Sequence, residues 1–366
     1  MTVERDIVRF ALPFAAGVLT ACTIPAAKCL PMLAAAMPAG IAAATGTYIF
    51  SVRGRKKPAV MAGIIGAAFL TGIFCLCNAR IMELSEVRSH GYITALAVSC
   101  CRRLQECIDS VPFADTDTSA LIKALLTGDR SGIPRGISDA FRSSGASHIL
   151  ALSGMHLGII YGIAGGIFSI FGNSSKGVRI RSLCIVLTCG FYTLATGAGE
   201  SITRAFLFIF LGETARIFHR HMSIRQTLMA SLVIQLACSP LSISDVGFQL
   251  SYAAMAGIAF IHPSLRGFWP DDGSGRSIPE KIWDTVSMSI SCQLATAPLA
   301  WHYFHTFPTH FILTNLLAIP MTSLIIPASL LCILLQLAGI CPDFLIQATE
   351  MLVSGLTASL RIIAVM

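Results

Sequence analysis

Charge is what this chain most conspicuously lacks. Asp, Glu, Lys and Arg make up 12% of its 366 residues, where a soluble globular domain carries about 25%, so the surface of a 39.0 kDa globule would go largely unwetted. A water-soluble enzyme is excluded by that shortage. A disordered tail is excluded as well, because 54% of the residues are apolar and the mean hydropathy is +0.73. The strict glycine period of a collagen is missing, and so is the alternation of apolar and polar residues that marks a membrane barrel. Instead the apolar residues come in blocks of about 20, the length of a membrane-spanning helix. The fold class is therefore all-α: a polytopic helical membrane protein with about ten or eleven transmembrane helices and amphipathic surface helices.

Signatures of chemistry are also scarce. The 13 cysteines include no CxxC pair and no zinc spacing, and most fall inside apolar windows, where a free cysteine is a small apolar residue. There is no HExxH, no P-loop and no glycine-rich dinucleotide turn. The segment Ala151 to Gly154 resembles an intramembrane serine-protease signature but carries Ala151 where that signature needs glycine. Gly128 and Asp129 lack the partner glycine and the intramembrane location of an aspartyl protease. No catalytic residue, metal ligand or cofactor site follows from the sequence.

Long apolar windows fall at Ile7 to Ala27, Met32 to Ser51 and Ala59 to Cys77. After a polar stretch from Asn78 to Ser147 they resume at His148 to Phe171, Ile180 to Thr196, Ser201 to Phe218, Ile224 to Cys238, Ser244 to Ile261, Ile282 to Phe304, Phe311 to Leu337 and Phe344 to Met366. This divides the chain into an N-terminal three-helix membrane region (1–77), an extracytoplasmic helical insertion (78–147) and a transmembrane domain (148–366). Pro320 and Pro327 predict that the window from Phe311 is kinked or broken. Basic residues in short loops mark the cytoplasmic side. Arg53, Arg55, Lys56 and Lys57 form the densest cluster. Every second connection after it is basic too, with Lys176, Arg179 and Arg181, then Arg216, Arg220 and Arg225, then Arg266, Arg276 and Lys281. The N-terminus, with Arg5 and Arg9, is then cytoplasmic, and no cleavable signal peptide is evident. The net charge of +7 is thus explained by topology and lends no support to a nucleic-acid partner.

The polar stretch reads as three short helices. Ile93, Leu96, Cys100, Leu104 and Ile108 recur at helical spacing with Arg102, Arg103, Gln105 and Glu106 opposite, which describes an amphipathic helix lying on the membrane or on the helical body. Asp117, Thr118 and Ser119 can cap a second helix that carries Leu121, Ile122, Leu125 and Leu126 and stops at Gly128. Pro134 suits the first turn of a third, which runs to Ser144 and stops at Gly145.

Polar residues inside the apolar windows are the candidate functional ones, because burying them in lipid is costly. His148, Ser153 and His156 stand among Gly145, Gly154 and Gly158. On an unbroken helix the two histidines lie about 80° apart, and a break at Ser153 and Gly154 could bring both towards one cavity. Alternatively His148 sits at the water interface, and Ser153, Gly154 and Gly158 allow close helix packing. Glu200 and Arg204 lie one turn apart and can pair, either to stabilise a tight turn or to line a polar path. Glu213, late in the same window, needs a polar environment. Gln249, Ser251, Gln293 and Asn315 add neutral polar groups that are individually structural and together suggest a polar interior. His302, His305 and His310 cluster with Trp301, Tyr303, Phe304 and Phe307, an aromatic belt without the carboxylates of a metal site.

Several of these segments, in order, resemble one family. Leu126 to Pro134 (with Gly128, Asp129 and Arg130), the run from Phe141 through Gly154 to Gly158, Asp245 to Tyr252, Ala297 to Pro308 (with Pro298) and Asn315 to Pro320 are similar to the competence domain of ComEC-type proteins, over roughly 115–340. The resemblance implies a multi-pass inner-membrane channel that passes one strand of incoming DNA into the cytoplasm during natural transformation. His148, Ser153, His156, Glu200, Arg204, Gln249, Ser251, Gln293 and Asn315 would then be candidates for its path. Single-stranded DNA is the implied cargo; a separate extracytoplasmic DNA-binding protein, a separate nuclease and a cytoplasmic motor helicase are the implied partners. Family members commonly carry an oligonucleotide-binding β domain before this region and a metallo-β-lactamase-like domain after it. Here 78–116 is too short and too helical for the former, and the sequence ends at Met366 before the latter, so the expectation is a membrane core that is not itself an enzyme. The alternatives are an ion-coupled secondary transporter of a small solute working through Glu200, Arg204 and Glu213, an inactive truncated paralogue, and, third, an intramembrane hydrolase using Ser153 and His156.

Overall fold

A computed structural model describes residues 2–25, 28–52, 57–84, 92–269, 278–305 and 310–365, and the regular elements among them are helical. In chain order these are α1 (Thr2–Cys22), α2 (Cys29–Val52), α3 (Lys57–Leu84), α4 (Tyr92–Ser110), α5 (Thr116–Thr127), α6 (Arg135–Ser143), α7 (Ser147–Leu150), α8 (Gly154–Ile167), α9 (Ser175–Ala195), α10 (Glu200–Ile217), α11 (Ile224–Cys238), α12 (Val246–Ala256), α13 (His262–Arg266), α14 (Ile278–Phe304), α15 (Phe311–Leu337) and α16 (Asp343–Val365). Among the described residues, 5 stretches are long and apolar enough to cross a membrane: Val60–Ile81, Gly154–Phe171, Ser175–Ala195, Phe311–Leu337 and Asp343–Val365. Shorter apolar stretches are Ile7–Cys22, Cys29–Thr45 and Ile224–Cys238. Three further windows are more polar or less regular. One is α10, which carries Glu200, Arg204, Glu213 and Arg216. Another, Ile282 to Phe304, lies within α14 and carries Asp284 and Pro298. The third, Ser244 to Ile261, divides into the end of a 3-10 turn, α12 and a π-helical turn. Arg53, Arg55, Lys56, Arg276 and Phe307 lie outside the described residues.

The expected break at Pro320 and Pro327 does not form, since α15 runs unbroken through both. Intact helical bonds on either side carry the chain past each proline, and the Thr322 and Ser323 hydroxyls add bonds back to the Ala318 and Ile319 carbonyls at 2.7 and 2.8 Å.

The chain forms two compact units, Met1–Ser89 with His221–Ala259, and His90–Arg220 with Phe260–Met366. In the first, α1 and α3 cross at glycines. A methyl group on Gly17 would lie 2.0 Å from the Phe69 carbonyl oxygen, and one on Gly72 would lie 2.2 Å from that of Phe14. Only a residue without Cβ lets two helix backbones approach so closely. The Arg80 guanidinium closes the end of α1, donating to the carbonyls of Ile24 at 2.6 Å and Cys22 at 3.0 Å. Tyr252 ties α12 to α11 by donating to Gln235 at 3.0 Å.

In the second unit the segment from α4 to α7 shares one core with the last two helices. Ile108, Leu121, Ile122, Leu125, Phe141 and Ile149 pack with Ile325, Ile326, Val353, Leu356 and Leu360. The segment is fastened near both ends of α15: Thr314 donates to the Ser144 carbonyl at 2.7 Å and Gln336 to that of Ser110 at 3.3 Å. Glu350 of α16 accepts from the Ala114 amide. The amphipathic stripe of α4 divides, with Leu104 and Ile108 packed on this body and Ile93 and Leu96 exposed. Asp115 caps α5 by accepting from the Asp117 amide at 3.0 Å, which moves the cap upstream of the residues the sequence suggested. Gly128 ends α5 as expected, with φ of 79°, and the Leu152 side chain fills the space where its Cβ would stand.

Candidate functional site

The break foreseen at Ser153 and Gly154 exists. Helix α7 ends at Leu150, Ala151 and Ser153 take extended backbone angles, and α8 starts at Gly154. Ser153 and His156 close the new helix end together. The Ser153 amide donates to His156 Nδ1 at 3.2 Å, and the Ser153 hydroxyl lies 3.0 Å from the same nitrogen. A ring nitrogen that accepts from a backbone N–H carries no proton, so the proton of the neutral imidazole sits on Nε2. That nitrogen is buried without a protein partner. His148, on α7, is exposed with its Nδ1 3.2 Å from the Gly145 carbonyl, and the two rings are within electrostatic reach.

Helix α8 presents distinct faces. Gly154 approaches α10, where its Cβ position lies 3.4 Å from Ala205 Cβ and 3.7 Å from an Arg204 guanidinium nitrogen. Leu157 packs with Ala205 on the same side. Met155 and Ile159 pack on the core built by α5, α15 and α16. Between these contacts, about 40° and 80° round the helix from Gly154, stand Gly158 and Gly162, and nothing lies within 4 Å of their Cβ positions or those of Gly165 and Gly166. Gly158 therefore does not serve close packing. This side of α8 is open and lined by bare backbone, while His156 points to the opposite side. The spacing of Gly154, Gly158, Gly162 and Gly166 was readable in the sequence as a four-residue repeat and was missed.

Three other helices bring polar groups to this neighbourhood. Glu200 opens α10, and Arg204, one turn on, is 8% exposed. Arg204 is within electrostatic reach of Cys292 on α14, and Gln293 follows it, half-buried. Asn315 of α15 donates to Ser289 of α14 at 3.2 Å, and its side-chain oxygen is buried without a protein partner. Gln249 and Ser251 belong to the first unit, where Gln249 donates to the Ile243 carbonyl at 2.9 Å and Ser251 is buried. Pro298 and Pro320 lie inside α14 and α15. Asp129 and exposed Arg130 form the turn after α5. The Ser131 backbone N–H, then its hydroxyl, hold the Asp129 carboxyl below its ordinary value, and Gln105 donates to it at 3.4 Å.

A second polar cluster was foreseen only through its carboxylate. Glu213 is 1% exposed. Its Oε1 accepts from Tyr161 of α8 at 2.7 Å and from Arg216 at 2.6 Å, and its Oε2 accepts from Ser182 of α9 at 2.6 Å. Arg216 also donates to the Tyr161 hydroxyl at 3.3 Å. The three-residue step from Glu213 to Arg216 was a usable signal; nothing in the sequence pointed to Tyr161 or Ser182. Among the described residues no three His, Cys, Asp or Glu side chains gather as a metal site.

Residues 125–366, from α5 onward, match the family described as Competence protein. The chain belongs to the competence-protein family. That agrees with the resemblance carried by the motifs. Two relatives are similar over much of the same length. ComE operon protein 3 of Bacillus subtilis (strain 168) is 24% identical over 218 residues, which cover 60% of this chain and 26% of that protein. A protein of Escherichia coli (strain K12) named Uncharacterized protein YcaI is 23% identical over 226 residues, 60% of this chain and 30% of its own. The competence-family chain thus spans less than a third of the length of either relative. No solved structure matches it.

Proposed function

We propose that this chain forms the membrane part of a DNA-uptake channel, passing a single strand across the inner membrane during natural transformation. The observation that carries the reading is the competence-family match over 125–366, a region in which α8 starts at a break and leaves a glycine-lined side open, with Arg204 of α10 beside that start. The open glycine side of α8 is a surface along which a strand can lie against backbone. His148, Ser153, Glu200, Gln293 and Asn315 are the polar groups assigned to this path. Single-stranded DNA is the proposed cargo. An extracytoplasmic DNA-binding protein and a nuclease would prepare it, and a cytoplasmic motor helicase would draw it in, with the N-terminus of this chain on the cytoplasmic side.

The transporter alternative is weakened at Glu213, whose carboxylate is already engaged by three donors, one of them an arginine. Deleting the gene in a transformable host that has no paralogue tests the proposal. Transformation by free DNA should be lost and should return with the intact gene but not with an Arg204→Gln variant that accumulates normally. An undiminished frequency in the deletion strain refutes the channel, and so would leave the inactive-paralogue alternative standing.

A further inference from the structure

The Glu213 cluster plays no part in the path described above, yet its geometry is that of a mount for a cation. A carboxylate buried among three helices accepts from Tyr161, Ser182 and Arg216, and Tyr161 accepts in turn from the second terminal nitrogen of Arg216. Both terminal nitrogens of the guanidinium are thereby fixed, while 44% of the Arg216 side chain remains exposed. A side chain wanted only as a cytoplasmic charge needs no such support, since an unanchored lysine serves the topology rule equally well. The mount also has a definite neighbour. Tyr161 stands about 40° round α8 from Gly165 and about 60° from Gly158, two of the glycines with nothing against them. The anchored guanidinium therefore borders the open side of α8 at the end of α10.

We propose that Arg216 is a phosphate contact for the strand, a cation placed at the border of the glycine face by the positioning residues Glu213, Tyr161 and Ser182. This rests on the DNA-channel reading and adds to it a contact that the sequence had assigned to topology alone. The carboxylate and the tyrosine engage one N–H on each terminal nitrogen, and the rest of the planar fork is available to the oxygens of a phosphodiester. Because the guanidinium is held before the ligand arrives, less side-chain freedom is lost on binding.

The test uses the full chain in phosphatidylcholine nanodiscs and a fluorescent oligothymidylate, with affinity followed by anisotropy from about 50 to 400 mM salt. Removing one phosphate contact from a single strand makes the slope of log affinity against log salt shallower by about 0.7. R216Q should show that change together with weaker binding, R216K should keep the wild-type slope, and R220Q, which removes an exposed charge four residues on, should match wild type. Y161F keeps the charge but releases one anchor. It should bind about two- to tenfold more weakly with the slope unchanged, the cost of immobilising one long side chain. Melting temperatures identify any variant that fails to fold, and if R216Q is lost that way, Y161F decides. A wild-type slope in R216Q, an equal change in R220Q, or wild-type affinity in Y161F overturns the proposal while leaving the channel intact. Wild-type protein that binds no oligothymidylate defeats the channel reading and this contact with it. Nanodiscs of phosphatidylglycerol provide the last arm: if that lipid abolishes the difference between R216Q and wild type, the ligand of Arg216 is a lipid headgroup and the proposal fails.

Discussion

Replacing Gly17 by alanine sets two physical effects of opposite sign against each other. Alanine is the better helix former by about 0.8 to 1.0 kcal/mol, so propensity alone predicts that α1 becomes more stable. The crossing with α3 predicts the reverse. The new methyl carbon would stand 2.0 Å from the Phe69 carbonyl oxygen, where ordinary contact begins near 3.4 Å, and the obstructing atoms are backbone that cannot rotate away. The two helices must separate by about an ångström and give up dispersion contacts along their length. Overpacking of this kind costs roughly 1 to 3 kcal/mol, and a rigid backbone obstacle puts it at the upper end. After the propensity gain is set against it, a net loss of about 1 to 2 kcal/mol remains. Unfolding of the purified protein in mixed detergent micelles measures it. Gly66, on α3 with nothing within 4 Å of its Cβ position, is the control, and Gly66→Ala should be neutral or stabilising. Gly72→Ala strikes the same crossing from the other side, so the double variant should lose less than the sum of the two singles, because separation forced by one methyl makes room for the other. A Gly17→Ala protein as stable as wild type, or strict additivity with Gly72→Ala, would refute the close crossing.

Arg80→Ala removes the hydrogen bonds that close α1 and should cost about 1.5 to 3 kcal/mol in the same unfolding assay. His156→Ala should lower stability by about 1 kcal/mol through loss of the helix cap, whereas His156→Asn, which keeps an acceptor within reach of the Ser153 amide, should recover most of it. Gly162→Leu places a large side chain in open space; melting temperature should hold while transformation frequency drops at least about tenfold, and an unaffected frequency would remove the glycine side of α8 from the path. Asp129 carries a lowered carboxyl pKa, owed first to the Ser131 amide. A depressed pKa stabilises above the unfolded value of 3.8 and ceases to do so as pH falls through the lower folded value. Wild type should therefore exceed Asp129→Asn in stability at neutral pH, and the two melting curves should converge in strong acid.

Much of this molecule was legible in its sequence, for reasons that are local. Hydropathy placed the windows later occupied by α11 and α15 at the same residues. Gly128 marked the end of α5 because a left-handed backbone position favours glycine. The pair Ser153 and Gly154 marked the break because a capping side chain and a residue without Cβ suit a helix start. What the tertiary structure alone decided depends on which helices meet. No pattern within α1 or α3 announces that Gly17 faces Phe69 while Gly72 faces Phe14. Tyr161, Ser182 and Glu213 lie on three helices, and only the packing of α8, α9 and α10 turns an isolated carboxylate into the support of Arg216. His156, a natural candidate for the path on composition, is taken up by the cap of its own helix, and the open side of α8 belongs instead to glycines that carry no chemistry a motif search would notice. Periodicity and capping act within a few residues and leave a trace in the chain; close approach between helices depends on distances that one helix does not record.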